Sequence, residues 1–256
     1  MFTINKLTEV PKEYYKKILL FNIHCDLGDN IICNGMLNYY LNNQFDYAII
    51  PIYEKYRDSL EHLYDTNRCV LVNEEEINDM LFYNEYPYFS GNNILFLGNK
   101  MFLDKRVLPV KYREIHKQFW EYNIPFDQAF YKQGNVPYEE SYTRFKIFKR
   151  DYIQEYKLLE QYKDYDVFLH DDGSRAFLIK DEYKTKKYIF PSENITTNIF
   201  NWIPVIQKCK EIHCIDSCFL NLIDRIDINE DVKLYYHAYA KDWPRPSLKK
   251  KWIIIE

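Results

Sequence analysis

Glycine is scarce in this chain, with 6 among 256 residues. No G-x-G-x-x-G, no G-x-x-x-x-G-K-[ST] and no G-x-S-x-G occurs. That counts against a dinucleotide oxidoreductase, a P-loop nucleotidase and a serine hydrolase, whose tight turns need those glycines. The 6 cysteines (Cys25, Cys33, Cys69, Cys209, Cys214, Cys218) form no C-x-x-C pair. They are expected to be reduced and mostly buried. The 6 histidines show no H-x-x-x-H spacing, and no metal site is expected. The chain has no apolar run of about 18 residues and no charged-then-apolar leader, so a cytoplasmic protein without a transmembrane segment is expected. Its formal net charge of −4 and pI near 5.9 lack the basic excess of a general nucleic-acid binder.

What is present is an ordinary globular composition, 47% hydrophobic and 28% charged. The chain is organised around 17–43. Ile18-Leu19-Leu20-Phe21-Asn22-Ile23 reads as a buried strand, Cys25–Asn30 as a loop, and a helical pattern begins at Ile31. Further strands are expected at 46–52, 69–72 and 93–98, alternating with helices at 53–64 and 73–83. Residues 112–122 read as helical, 125–145 as helix, turn and extended segment, and 146–162 as a charged connecting helix. A second series begins at Asp166, with strands at 166–170, 187–190, 211–215 and 233–239 and helices at 198–210 and 217–226. Alternating strands and helices argue for parallel sheets covered on both faces. The expected architecture is therefore α/β, with two Rossmann-like β/α/β domains, 1–150 and 151–256, facing across a cleft.

Two strand–loop–helix corners carry the chemistry. The first is His24-Cys25-Asp26-Leu27-Gly28-Asp29-Asn30, where a strand end meets a helix N-terminus, the usual place for ligands in open α/β sheets. Asp29 or Asn30 as a plain helix cap is the simpler alternative. The second is Ile215-Asp216-Ser217-Cys218-Phe219-Leu220. Ser217 there can donate to a diphosphate beside free helix N–H groups, or merely cap the helix. Nearby, His170-Asp171-Asp172-Gly173-Ser174-Arg175 ends a strand. Arg175 can pair with a phosphate or with a neighbouring aspartate. The adjacent Asp171 and Asp172 leave a divalent metal open as an alternative. His237 ends another strand and is a further candidate for facing the cleft.

Leu27-Gly28-Asp29-Asn30-Ile31-Ile32, Ile215-Asp216-Ser217-Cys218-Phe219-Leu220 and Phe130–Tyr138 together resemble a GT-B glycosyltransferase of the heptosyltransferase-like type. The resemblance implies inverting, metal-independent transfer of a sugar from a nucleotide-sugar donor to an acceptor hydroxyl, with no cofactor. It implies Asp29 as general base, with Asp26 and His24 as reserve candidates. It places Gly28, His170, Arg175, Asp216, Ser217, Cys218 and Phe219 on the donor side. The family usually has glycine after the donor-side hydroxyl, where this chain has Cys218-Phe219. That departure leaves a non-catalytic nucleotide- or sugar-binding protein of the same fold as the second reading, and a transferase using Asp171 and Asp172 with a metal as the third.

Overall fold

A computed structural model describes residues 17–23, 26–74, 94–97, 123–184, 186–241 and 244–256. His24, Cys25, the expected helices at 73–83 and 112–122, and His116 lie wholly or largely outside these residues. The chain divides into two compact units, Met1–Lys149 and Arg150–Glu256.

The first unit holds a parallel sheet in the order β3-β2-β1-β4. Its strands are β1 (Ile18–Asn22), β2 (Tyr47–Ile52), β3 (Cys69–Asn73) and β4 (Ile94–Phe96). β1 is buried along its whole length, as a central parallel strand covered on both faces must be. Helix α1 (Leu27–Asn43) follows it and starts earlier than the sequence pattern suggests. The Asp26 carbonyl accepts from the backbone N–H of Asn30 at 3.1 Å and from its side-chain Nδ2 at 2.9 Å. Asn30 Oδ1 in turn accepts from the Tyr64 hydroxyl at 2.8 Å. Asn30 is thus a buried anchor that draws residues 27–30 into the helix. Asp26 occupies the cap position but makes no side-chain cap bond. Neither Asp29 nor Asn30 is the cap.

Helix α2 (Arg57–Leu63) follows a short 3₁₀ turn, and α3 (Phe126–Gln133) and α4 (Glu140–Thr143) pack on α1. The stretch 125–145, expected to hold a helix, a turn and an extended segment, therefore holds a second helical turn. Gly35 lets the α1 backbone come against α4, since a Cβ there would lie 2.0 Å from the Glu140 carbonyl oxygen. The Tyr131 hydroxyl, buried, donates to the Ile32 carbonyl at 2.8 Å and accepts from Met36 N–H at 3.1 Å.

Residues 145–150 are not helical, which corrects the expected connecting helix. Their N–H groups are taken by the first unit instead: Lys146 donates to Asn34 Oδ1 at 2.9 Å, and Phe148 and Lys149 donate to the His62 carbonyl at 3.0 Å each. The helix begins only at α5 (Tyr152–Gln161), where Asp151 caps it through Gln154 N–H.

The second unit holds a five-stranded parallel sheet in the order β6-β5-β7-β8-β9. The strands are β5 (Val167–His170), β6 (Tyr188–Ile189), β7 (Glu211–Cys214), β8 (Lys233–His237) and β9 (Trp252–Ile255). Helices α6 (Ile203–Lys208), entered through a 3₁₀ turn, and α7 (Cys218–Arg225) complete it. α7 buries Phe219, Leu220, Leu222 and Ile223. The sheet takes β9 as an edge strand beside β8. Buried Asp224 on α7 fastens the approach to it. Its carboxylate accepts from Lys249 N–H at 2.9 Å, Lys250 N–H at 3.0 Å and Trp252 Nε1–H at 2.9 Å.

Candidate functional site

The register of the second sheet sets His170 beside Cys214, and Cys214 beside Tyr236. The carboxyl ends of β5, β7 and β8 are therefore level, and the loops that leave them meet. Ser217 is the N-cap of α7, with an extended backbone and its Oγ accepting from Leu220 N–H at 3.4 Å. The same Oγ lies 3.0 Å from His170 Nδ1. The His170 ring rests against Phe219, centroids 4.6 Å apart, and stacks on Phe190 at 6.3 Å. Phe219 is buried and also touches Phe168 at 5.4 Å. Its side chain acts as the floor under His170, which leaves only its backbone to meet a ligand.

Arg175 forms the ion pair with Asp172 that the sequence left open, at 2.6 Å, while its side chain stays 58% exposed. Ser174 also donates to Asp172, at 2.7 Å. Burial pushes the Asp172 carboxyl up, but those hydrogen bonds and the Arg175 charge bring it down to about 2. Asp171 is buried, accepts from Ile179 N–H at 3.0 Å and pairs with Lys184 at 3.0 Å. Each of the two aspartates expected as an alternative metal pair is thus engaged by its own cation. Among the described residues, no group of three or more His, Cys, Asp or Glu side chains is placed to hold a metal ion.

Lys241 is the residue the sequence reading missed. It follows β8, donates to the Asp216 carbonyl and lies 5.1 Å from the centre of the Phe177 ring. Arg175 approaches the same ring at 5.6 Å. Burial lowers the Lys241 ammonium from its usual range, Asp216 works against that, and Arg175 adds to it. Two cations thus converge beside the N-terminus of α7, a site that offers N–H groups and positive dipole to an anion. Cys218, the departure from the resembled pattern, is held as an unreactive thiol, with burial raising it to about 12. No spacing rule connects Lys241 to Arg175, because 65 intervening residues of strands and turns separate them.

A second chain of polar groups runs behind this site, across β7 and β8. Tyr239 Oη accepts from Lys180 N–H at 2.8 Å, so its own proton goes to His237 Nδ1 at 3.2 Å. His237 Nε2–H then donates to His213 Nδ1 at 2.9 Å, and His213 Nε2–H to Glu211 at 3.1 Å. Lys186 pairs with the other oxygen of Glu211. One tautomer of each imidazole satisfies every link. His237, expected as a residue facing the ligand, is fully buried in this chain.

Burial and the neighbouring His213 push His237 down to about 4, with Asp171 opposing. Burial likewise pushes His170 down to about 4, against Asp171 and Asp172, and lowers His213. These histidines stay neutral in the fold and take up protons more readily when unfolded. Their contribution to stability is full above about pH 6.5 and is lost as the pH falls toward about 4. The melting temperature is expected to drop through that window, before the carboxylates titrate. A flat melting temperature from pH 7 to 4.5 would contradict buried neutral imidazoles.

The first corner has its own geometry. Gly28 and Asp29 are the second and third residues of α1, both half-buried, and Asp29 is the acidic residue of its first turn. Asp26 is exposed at the cap. His24 lies outside the described residues.

No family model and no curated protein matches the sequence. Among solved structures, the chain is similar to the glycosyl transferase family 9 protein from Veillonella parvula DSM 2008. The TM-score is 0.55 at 12% identity, over 94% of this chain and 87% of that one. The fold is α/β with parallel sheets, GT-B-like at that level of likeness. No helix among the described residues is long and apolar enough to cross a membrane.

Proposed function

We propose that this protein is a glycosyltransferase that moves a sugar from a nucleoside-diphosphate sugar to an acceptor hydroxyl, with inversion and without a metal. The observation that carries the reading is the convergence of Ser217, Arg175 and Lys241 at the N-terminus of α7. The fold likeness to a glycosyl transferase supports it. Transfer breaks the bond between the anomeric carbon and the diphosphate oxygen, so negative charge grows on the leaving diphosphate. Groups already fixed in place stabilise that charge without reorganising. Ser217 and the first N–H groups of α7 supply hydrogen bonds, while Lys241 and Arg175 supply charge. Arg175 exchanges its exposed contact with Asp172 for the phosphate, which costs little because the arginine is already half solvated. Asp29 takes the proton of the attacking hydroxyl. The reading requires no cofactor. It also assigns the acceptor side to unit 1–150 and the donor side to 151–256.

The test is nucleotide affinity. A thermal-shift panel of UDP, GDP and ADP sugars should single out one base, because selective binding to the folded state raises the melting temperature. Ser217→Ala should then weaken that donor by roughly 1.5–3 kcal/mol, the worth of a hydrogen bond to a charged group. Equal affinity in wild type and Ser217→Ala, measured by calorimetry, would remove the donor site from this position.

A further inference from the structure

Ser217 Oγ accepts from Leu220 N–H on one side and faces His170 Nδ1 on the other. A serine hydroxyl has two lone pairs and one proton. If its proton points to His170, the oxygen presents only a lone pair to an incoming phosphate, and the contact is repulsive. If His170 Nδ1 carries a proton instead, as it does in the imidazolium and in the neutral Nδ1–H tautomer, both lone pairs are filled and the O–H has one free direction, outward. The hydroxyl can serve a diphosphate only in the second arrangement.

We infer that His170 is a positioning residue that turns the Ser217 hydroxyl toward the donor diphosphate, and that donor binding draws a proton onto its ring. This rests on the donor reading given above. Among the described residues, the groups that bear on His170 are Ser217 from the start of α7, Phe219 beneath the ring, Phe190 after β6, Asp171 and Asp172 from its own loop, and Arg175 and Lys241 beyond them. Burial, with the two cations, disfavours the imidazolium against the opposing pull of Asp171 and Asp172. A bound diphosphate offsets both cations and adds negative charge, so it raises the proton affinity of the ring. The proton comes from solvent and sits on the imidazole. The Ser217 hydroxyl keeps its own proton and only changes partner, and no covalent bond of the donor is touched.

The experiment measures binding of the sugar nucleotide selected by the thermal-shift panel, by calorimetry between pH 7.5 and 5.0. Its diphosphate diester does not titrate there, so the protein alone supplies any pH dependence. Uptake of one proton makes affinity rise as the pH falls, by up to about tenfold per pH unit. Repeating the titration in two buffers of different ionisation enthalpy should show net proton uptake. His170→Asn places an amide N–H₂ where Nδ1 stands and so retains a donor for Ser217, but it cannot titrate. It should bind the same donor with an affinity independent of pH and without proton uptake. Wild-type affinity that is flat with pH and free of proton uptake overturns the proton-linked role of His170 and leaves the donor site standing. So does a His170→Asn variant that keeps the pH dependence. Should that variant fail to fold, the wild-type proton count decides alone. Absence of binding by every sugar nucleotide at every pH overturns both readings together.

Discussion

Asp29→Asn is expected to lower sugar transfer by roughly 10²–10⁴-fold, the usual worth of a general base, while donor affinity changes little. The substitution keeps size and shape and removes only proton acceptance. Asp29 is not the cap of α1, so a capping role does not compete as an explanation: Asp26 holds that position. Part of what Asn costs structurally is the favourable meeting of a carboxylate with the helix dipole in the first turn, about 0.3–1 kcal/mol. Stability and turnover are therefore measured side by side. A variant with near-native melting temperature, native donor affinity and collapsed turnover supports the base assignment. Full activity in the Asn variant would discard it and pass the role to Asp26 or His24. The control is Asp26→Asn, whose side chain makes no cap bond and whose loss should leave the helix intact.

Asp224→Ala is expected to destabilise the second unit by roughly 3–5 kcal/mol, since three donors lose one buried acceptor and each orphan costs about 1–3 kcal/mol before partial hydration. The donors are Lys249 N–H, Lys250 N–H and the Trp252 indole. The first two lie in the stretch that leads into β9, an edge strand whose Ile253 and Ile254 remain about half exposed. Packing therefore contributes little to hold it, and the ladder to β8 and the hydrogen bonds from Asp224 carry the attachment. Hydrogen exchange should show β9 amides losing protection before those of β7 and β8. Asp224→Asn retains one acceptor oxygen but turns an N–H₂ toward N–H donors, so it should fall between wild type and alanine. Unchanged exchange in β9 for Asp224→Ala would show that strand pairing with β8 suffices.

The alternation of apolar runs with amphipathic stretches determined the α/β class and placed eight of the strands to within a residue or two. A buried parallel strand such as Ile18–Asn22 must be apolar throughout, and such runs are visible without a structure. The place of the two corners was legible for the same reason: Asp29 and Ser217 sit where a strand ends and a helix begins, a local pattern. Tertiary structure decided whatever depended on partners distant in sequence. Residues 145–150 carry a helical pattern, yet Asn34 and the His62 carbonyl capture their N–H groups, and the helix waits until Asp151. Asn30 pulls the start of α1 back to Leu27 because the Tyr64 hydroxyl holds it. Trp252–Ile255 becomes a strand only because β8 offers an open edge and Asp224 fixes the approach. Lys241 reaches the N-terminus of α7 because β5, β7 and β8 end level with one another. Local propensity is short-ranged and can be read along the chain, whereas a hydrogen bond across 25 to 112 residues exists only after the sheet has formed.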